Sequence, residues 1–270
     1  MKLSTYIFFL FSILALYSCK QSDPLVKESR LIWSDEFNGS ELDENNWEIM
    51  LGNGSDYGLW GWGNNEDQWY LKENVSLSNG NLLIKAVKEE TNGYNYSSAR
   101  IRTANKFDFK YGRIEASIRM ANTAGLWHAF WMLPTNPSQS WPTSGEMDIM
   151  EYVGNTPGEI LNTIHFADNF GNHSQIGDLE EVDPNSIING FHQYALEWNE
   201  NQLVWFIDSV ETFKVLRSDD RISSTWPFDS EFHLLLNTAV GGNLGGAIDE
   251  ESMQKPKYME VEYVRVYQNN

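Results

Sequence analysis

The stretch 145-GEMDIMEYVG-154 carries three carboxylates, Glu146, Asp148 and Glu151, in a run that otherwise reads as an apolar strand. Two carboxyl groups held a few ångströms apart can cleave an acetal. One stays ionised and attacks the carbon, while the other stays protonated and gives its proton to the departing oxygen. Asp148, between them, can hydrogen-bond a neighbour and, as a like charge, help separate the two protonation states. The spacing is awkward for this chemistry, because on a regular strand Glu146 and Asp148 share one face and Glu151 takes the other. One β-bulge between Asp148 and Glu151 resets the phase and brings all three acids to one face. Glu146 and Glu151 then stand about four strand steps apart, roughly 13 Å between Cα atoms. Leaning side chains can close that to about 5–5.5 Å, the separation of a nucleophile and an acid/base. A solvated face with acids by chance and a cation site are the plainer explanations. The apolar Met147, Ile149, Met150 and Val153 count against both, since buried acids need a reason.

A strand of this kind needs a sheet around it, and strand-like segments recur along the chain. Residues 81-NLLIKAVKEE-90, 112-GRIEASIRM-120, 193-QYALEWNENQLVWFID-208 and 260-EVEYVRVYQ-268 alternate or run apolar over strand lengths, bounded by Gly, Asn, Asp and Pro. Within the third, 199-NENQ-202 reads as a hairpin turn. Only 183-DPNSI-187 reads as a helix start, with Asp ahead of Pro. From Leu31 on, no linker, charge block or internal repeat divides the chain. The pattern predicts an all-β fold, a sandwich of two antiparallel sheets in one domain over 31–270.

Composition narrows the partners. The chain has 270 residues, 41% hydrophobic and 21% charged, with a net charge of −19. That balance excludes a disordered protein and argues against nucleic acid or an anionic lipid surface; it suits a neutral ligand, or serves solubility alone. At the N-terminus Lys2 precedes the apolar run 6-YIFFLFSILALYS-18, too short for an ordinary membrane span and right for a signal peptide over 1–18. It ends in 16-LYSC-19, which resembles a bacterial lipobox, and Cys19 is the sole cysteine, so no internal disulfide can form. The expectation is lipidation at Cys19, a polar tether over 19–30, and export to the cell envelope, on the outer membrane or otherwise secreted. Membrane contact is then through the lipid anchor alone.

GEMDIMEYVG resembles the E-x-D-x-x-E signature of glycoside hydrolase family 16, in the bulged form of the bacterial laminarinases. The stretches 33-WSDEFNG-39, 61-GWGNNEDQWY-70, 125-GLWHAFWMLP-134, 163-TIHF-166, 191-FHQYALEW-198, 226-WPFDSEFHLLLNTAVGGN-243 and 261-VEYVRVY-267 are similar to that family in the same order, from about residue 31 to 268. The resemblance implies a β-jelly roll with a substrate cleft on its concave face and a retaining, double-displacement mechanism. In it Glu146 is the nucleophile, Glu151 the acid/base and Asp148 the helper. It also implies β-1,3-glucan of the laminarin type as substrate, with mixed-linkage β-1,3/1,4-glucan beside it, and no cofactor for catalysis. A monomer is expected. Two other readings stay open: the same fold acting on another polysaccharide such as a galactan, and a non-catalytic glycan-binding lipoprotein. A pure binder has no need of both glutamates.

The chain holds 11 Trp, 12 Tyr and 14 Phe, and sugar rings present apolar C–H faces to such side chains. Most of these aromatics belong to a core. Trp141 stands apart in the loop 134-PTNPSQSWPTS-144, where packing gives no reason for a Trp. By resemblance Trp131 and Trp141 line the subsites beside the scissile bond, while Trp127 fits core and cleft equally. Asn64 reads either as a turn residue or as the family's sugar-binding Asn, with Glu66 on the same loop. His165, flanked by Ile164 and Phe166, reads either as a satisfied structural residue or, by resemblance, as the family's cleft histidine, a donor near the acid/base. Arg102 in 99-ARIRT-103 is a further candidate for substrate contact. A metal centre on His165 and His173 lacks ligand spacing. The resemblance implies a structural Ca²⁺ at Glu36, the Gly80 carbonyl and Glu262, the last in place of a more usual Asp. Leu244 follows 241-GGN-243 where an aromatic is common, and His128 stands where a proline is common.

Overall fold

The structure, a computed structural model, describes residues 29–222 and 225–269. The expected signal peptide, Cys19 and most of the tether lie outside the described residues. The first strand begins at Ser29, two residues ahead of the expected domain boundary at Leu31.

Two sheets face each other, as the strand pattern predicts. The seven-stranded sheet runs His173–Glu181, Glu159–Ala167, Glu146–Val153, Leu126–Pro134, Phe232–Val240, Arg100–Arg102, Glu48–Met50. The ten-stranded sheet has Gly112–Met120 and Lys257–Asn269 at its centre, with His192–Trp198 and Asn81–Thr91 on either side. Pairing is antiparallel throughout except between Gln68–Tyr70 and Tyr94–Ser98. The turn at 199–202 closes the His192–Trp198/Gln202–Ile207 hairpin through the Asn199 amide, which donates to the Gln202 carbonyl. A short helix, Pro184–Asn189, starts where Asp183 accepts from the Asn185 amide at 2.9 Å. Among the described residues no helix is long and apolar enough to cross a membrane.

Strand alternation sends one face of each sheet into the shared core, where Ile114, Ile118, Met132, Ile164, Trp198, Trp205 and Val264 are buried. His128 lies on this inner face, fully buried between the Thr238 hydroxyl (2.8 Å) and the Ala121 carbonyl (3.0 Å), and burial pushes its pKa down to about 4. The residue standing where a proline is common therefore fills core and does not face the outer side of the sheet.

The bulge is present in the acidic strand. Asp148 lies opposite Trp131, but Met150, not Ile149, lies opposite Phe130. On the other side Asp148 pairs with Thr163 and Glu151 with Leu161. Met147, Ile149, Met150 and Tyr152 consequently all enter the core, and Glu146, Asp148 and Glu151 share the outer face. A bulge frees backbone carbonyls from the ladder, and buried carbonyls need donors. Asn162 Nδ2 donates to the Ile149 carbonyl at 2.7 Å, and Trp205 Nε1, from the opposite sheet, donates to the Asp148 carbonyl at 2.8 Å. Asn162→Ala strands the Ile149 oxygen and is expected to cost about 1–3 kcal/mol, read from urea unfolding at unchanged slope.

Entry to the strand depends on Gly145. Its φ of 82° is left-handed, and a Cβ there would stand 2.9 Å from Pro227 and 3.1 Å from Phe228. The Phe232–Val240 strand is buried on both faces, because the 61–70 loop folds over its outer side. There Gln68 Oε1 accepts from the Val240 amide at 2.7 Å, and Glu66 bridges to Gly241.

Candidate active site

The outer face of the acidic strand gathers the acids with an indole at each end. Trp141 Nε1 donates to Glu146 Oε2 at 2.8 Å, and Trp127 Nε1 donates to Glu151 Oε1 at 2.9 Å. Trp127 thus lies on the outer face with the acids and not in the core; it sits opposite Val153, two residues along the same face from Glu151. Trp141 is 48% exposed, so its ring offers a face to a ligand while its nitrogen holds Glu146. His165 lies opposite Glu146 on the neighbouring strand, and its Nε2 approaches Asp148 Oδ2 to 3.1 Å without hydrogen-bond alignment. Glu146, Asp148 and His165 bring one polar atom each within 4.8 Å of one another. Asp148 is 2% exposed, the most enclosed of the three acids.

Three carboxyls this close in a desolvated site cannot all ionise at neutral pH. Burial raises the pKa of all three, and the charge of Asp148 adds to this at Glu146 and Glu151; Glu146 is pushed up to about 8. The opposing influences differ. His165, the Trp141 hydrogen bond and the Arg100 guanidinium favour ionised Glu146. Glu151 has His165 and the Trp127 hydrogen bond, and carries repulsion from both other acids. A carboxyl raised in the folded state holds its proton where the unfolded chain has lost it, so folding stability falls as pH rises from about 4.5 to about 8. Glu146→Gln removes one of these ionisations. At about pH 8 it is expected to melt above the parent by roughly 3–6 °C, with the gap closing near pH 4; thermal scans at the two pH values check this.

Beside the acids, a polar network underlies the cleft floor. Trp131 is half-buried, its Nε1 donating to Asn237 Oδ1 at 2.8 Å. Asn237 Nδ2 donates to Tyr70 Oη at 3.3 Å, and Tyr70 Oη donates to Glu66 Oε2 at 3.0 Å. Arg100, 3% exposed, lies between two indoles, 4.6 Å from the Trp62 ring and 4.8 Å from the Trp131 ring. Arg100, Tyr70, Gln68 and Asn237 escaped sequence reading. Gln68, Tyr70 and Asn237 fall within stretches similar to the family, and Arg100 shares a strand face with Arg102, two residues on.

Other expected contacts differ. Glu66, read as a substrate contact on the Asn64 loop, is 5% exposed, and its oxygens accept from Asn64, Gln68 and Tyr70. It braces that loop and answers the Arg100 charge, because a buried acid requires such partners. Asn64 itself is half-buried at the loop surface, its carbonyl accepting from the Asn243 amide at 2.8 Å. Leu244 follows it, 40% exposed on the short Gly242–Gly245 helix. Arg102 pairs with Glu48 at 2.7 Å, several strands from the acids. The residues expected to hold calcium do not fit one. Both oxygens of Glu36 are taken by Arg265 (2.9 and 2.7 Å), and Glu262, at a bulge in the last strand, accepts from Ser117 at 2.5 Å. Gly80 lies next to the Asn38 side chain.

The family model for Glycosyl hydrolases family 16 matches residues 63–265. The chain is 36% identical to the glucan endo-1,3-beta-glucosidase A1 of Niallia circulans, over 91% of this chain and 39% of that protein, so it spans well under half of that relative's length. It is 38% identical to a beta-glucanase of Rhodothermus marinus, over 96% of this chain and 93% of that protein. The solved catalytic domain of an endo-1,3-beta-glucanase (laminarinase) from Thermotoga petrophila RKU-1 superposes with a TM-score of 0.84 at 36% identity, covering 91% of this chain and all of that one.

Proposed function

Because the chain belongs to glycosyl hydrolases family 16, we propose that it hydrolyses internal β-1,3 bonds of laminarin-type glucan with retention of configuration. It is a glycoside hydrolase on a jelly-roll sandwich. The observation that carries the finer reading is the bulge, which turns an E-x-D-x-x-E spacing into three acids on one face. Relatives named for endo-1,3-β-glucanase activity support the substrate class.

In the first step a carboxylate oxygen of Glu146 attacks the anomeric carbon from below the sugar plane. Glu151 gives its proton to the glycosidic oxygen, and that bond breaks to leave a glycosyl ester on Glu146. In the second, Glu151, now ionised, takes a proton from water; the water oxygen attacks the same carbon and frees Glu146. Roles follow the surroundings: Glu146 has a guanidinium and an indole donor favouring its anion, while Glu151 sits under the repulsion of two acids. Asp148 and His165 share the space between them and tune both. Trp141 and Trp131 serve as platforms for the sugar rings flanking the cut, and Asn64 contacts the chain on the non-reducing side. No step needs a metal.

Incubation with laminarin, lichenan and agarose side by side tests the substrate reading. Oligosaccharides from laminarin, with β-anomers first in proton NMR, are expected. Cleavage of agarose alone would assign a galactan instead, and a first-formed α-anomer would remove Glu146 as nucleophile. Export with lipidation at Cys19 belongs to the same proposal, and mass spectrometry of the mature N-terminus decides it.

A further inference from the structure

His173 stands on the edge strand of the seven-stranded sheet and takes no part in the steps above. In the hairpin, His165 pairs with Gln175 and Ala167 with His173, so the two histidines are diagonal neighbours on the outer face. Their rings stack at 5.0 Å, and His165 Nδ1 lies 2.8 Å from His173 Nε2, a distance that needs one proton between the nitrogens. His173 also packs on the Trp141 ring at 4.7 Å, and Trp141 donates to Glu146. One side chain outside the reacting centre thus touches the supports of two catalytic acids.

We infer that His173 is a positioning residue: its Nε2–H donates to His165 Nδ1, fixing the tautomer in which His165 Nε2–H faces Asp148, while its ring holds Trp141 over Glu146. In the alternative tautomer His165 Nε2 can only accept, and only from a protonated Asp148, whereas the Nε2–H form faces the ionised carboxylate 3.1 Å away with a donor. Neutral His173 suits the donor role, and burial together with the neighbouring His165 holds its pKa below the ordinary histidine value. The charged groups beside the pair are Glu146, Asp148 and Glu151 on the acidic strand, and Asp168 begins the loop that joins the two histidine strands. Asp168 is occupied by the Phe170 and Asn172 amides, and the 135–145 loop carrying Trp141 contains no charged residue.

Two variants separate the roles of the ring. His173→Phe keeps a ring on Trp141 but offers no donor; His173→Asn offers an amide donor without the aromatic stack. Long-range ¹⁵N–¹H spectra of histidine-labelled protein, recorded without substrate, are expected to give the Nε2–H tautomer for His165 in the parent and in His173→Asn. In His173→Phe a shift toward Nδ1–H is expected. The kinetic arm rests on the glucanase reading: kcat on laminarin falls about tenfold in His173→Phe with KM little changed, and His173→Asn recovers most of it. An Nδ1–H tautomer in the parent, an unchanged His165 spectrum in His173→Phe, or His173→Asn no better than His173→Phe would overturn the inference. A parent inactive on laminarin would overturn the glucanase reading instead, and the spectra would still decide the tautomer.

Discussion

Glu146→Gln is expected to lower kcat on laminarin by roughly four to six orders of magnitude, leaving fold and glucan binding intact. An amide oxygen is a poor nucleophile at an anomeric carbon, and no other carboxylate on this face can replace it. Asp148 is nearly enclosed against His165, and Glu151, the acid/base of the proposed mechanism, stands at the far end of the strand held by the Trp127 indole. The carboxamide oxygen can still accept the Trp141 hydrogen bond, so the cleft wall keeps its place. Single-turnover kinetics with calorimetric binding of laminari-oligosaccharides separate the two effects. Residual turnover within about a hundredfold of the parent would move the nucleophile elsewhere.

Glu151→Gln is expected to slow laminarin cleavage by roughly two to four orders of magnitude, the range for loss of a general acid and base. Its signature is selective. An aryl β-glycoside with a good leaving group needs little protonation, so the first step survives while the second stalls for want of a base. Azide, which needs no base, then restores turnover and leaves as the β-glycosyl azide. An α-azide from this variant would exchange the roles of the two glutamates. The electrostatics favour that order, because the Arg100 guanidinium helps hold Glu146 ionised, while the charges of Asp148 and Glu146 both favour the proton on Glu151.

What was legible in the chain follows from which forces act locally. Three acids among Met147, Ile149 and Met150 had to share a face or be buried without purpose, so the bulge could be placed between Asp148 and Glu151 from spacing alone. The Asp183–Pro184 helix start and the turn at 199–202 are equally local. Trp127 could not be assigned, because a Trp at that position packs equally well on either side until the register against Val153 is known. The bracing role of Glu66 was hidden for a non-local reason: its partners Tyr70 and Gln68 point under the loop only once that loop folds across the Phe232–Val240 strand. Arg100 was passed over for Arg102 because both lie on one strand face; only the Trp62 and Trp131 rings, distant in sequence, distinguish the enclosed guanidinium from the one paired with Glu48. His173 needed the hairpin register, which the loop 168-DNFGN-172 does not reveal by composition.

The indole of Trp205, reaching from one sheet to the Asp148 carbonyl in the other, has a bearing on how the protein opens. Reactive groups are commonly drawn from the least protected parts of a fold, but here the acidic strand is central in its sheet and tied across the sandwich at its irregular point. Its amides from Met147 to Tyr152 are therefore expected among the slowest to exchange with deuterated solvent, opening only with the whole molecule. Phe213, its ring tilted against that of Trp205 at 5.0 Å, belongs to that same cooperative unit although it lies in the sheet opposite the acids. On heating, turnover and global structure should be lost in one transition, with no active-site melting ahead of the rest.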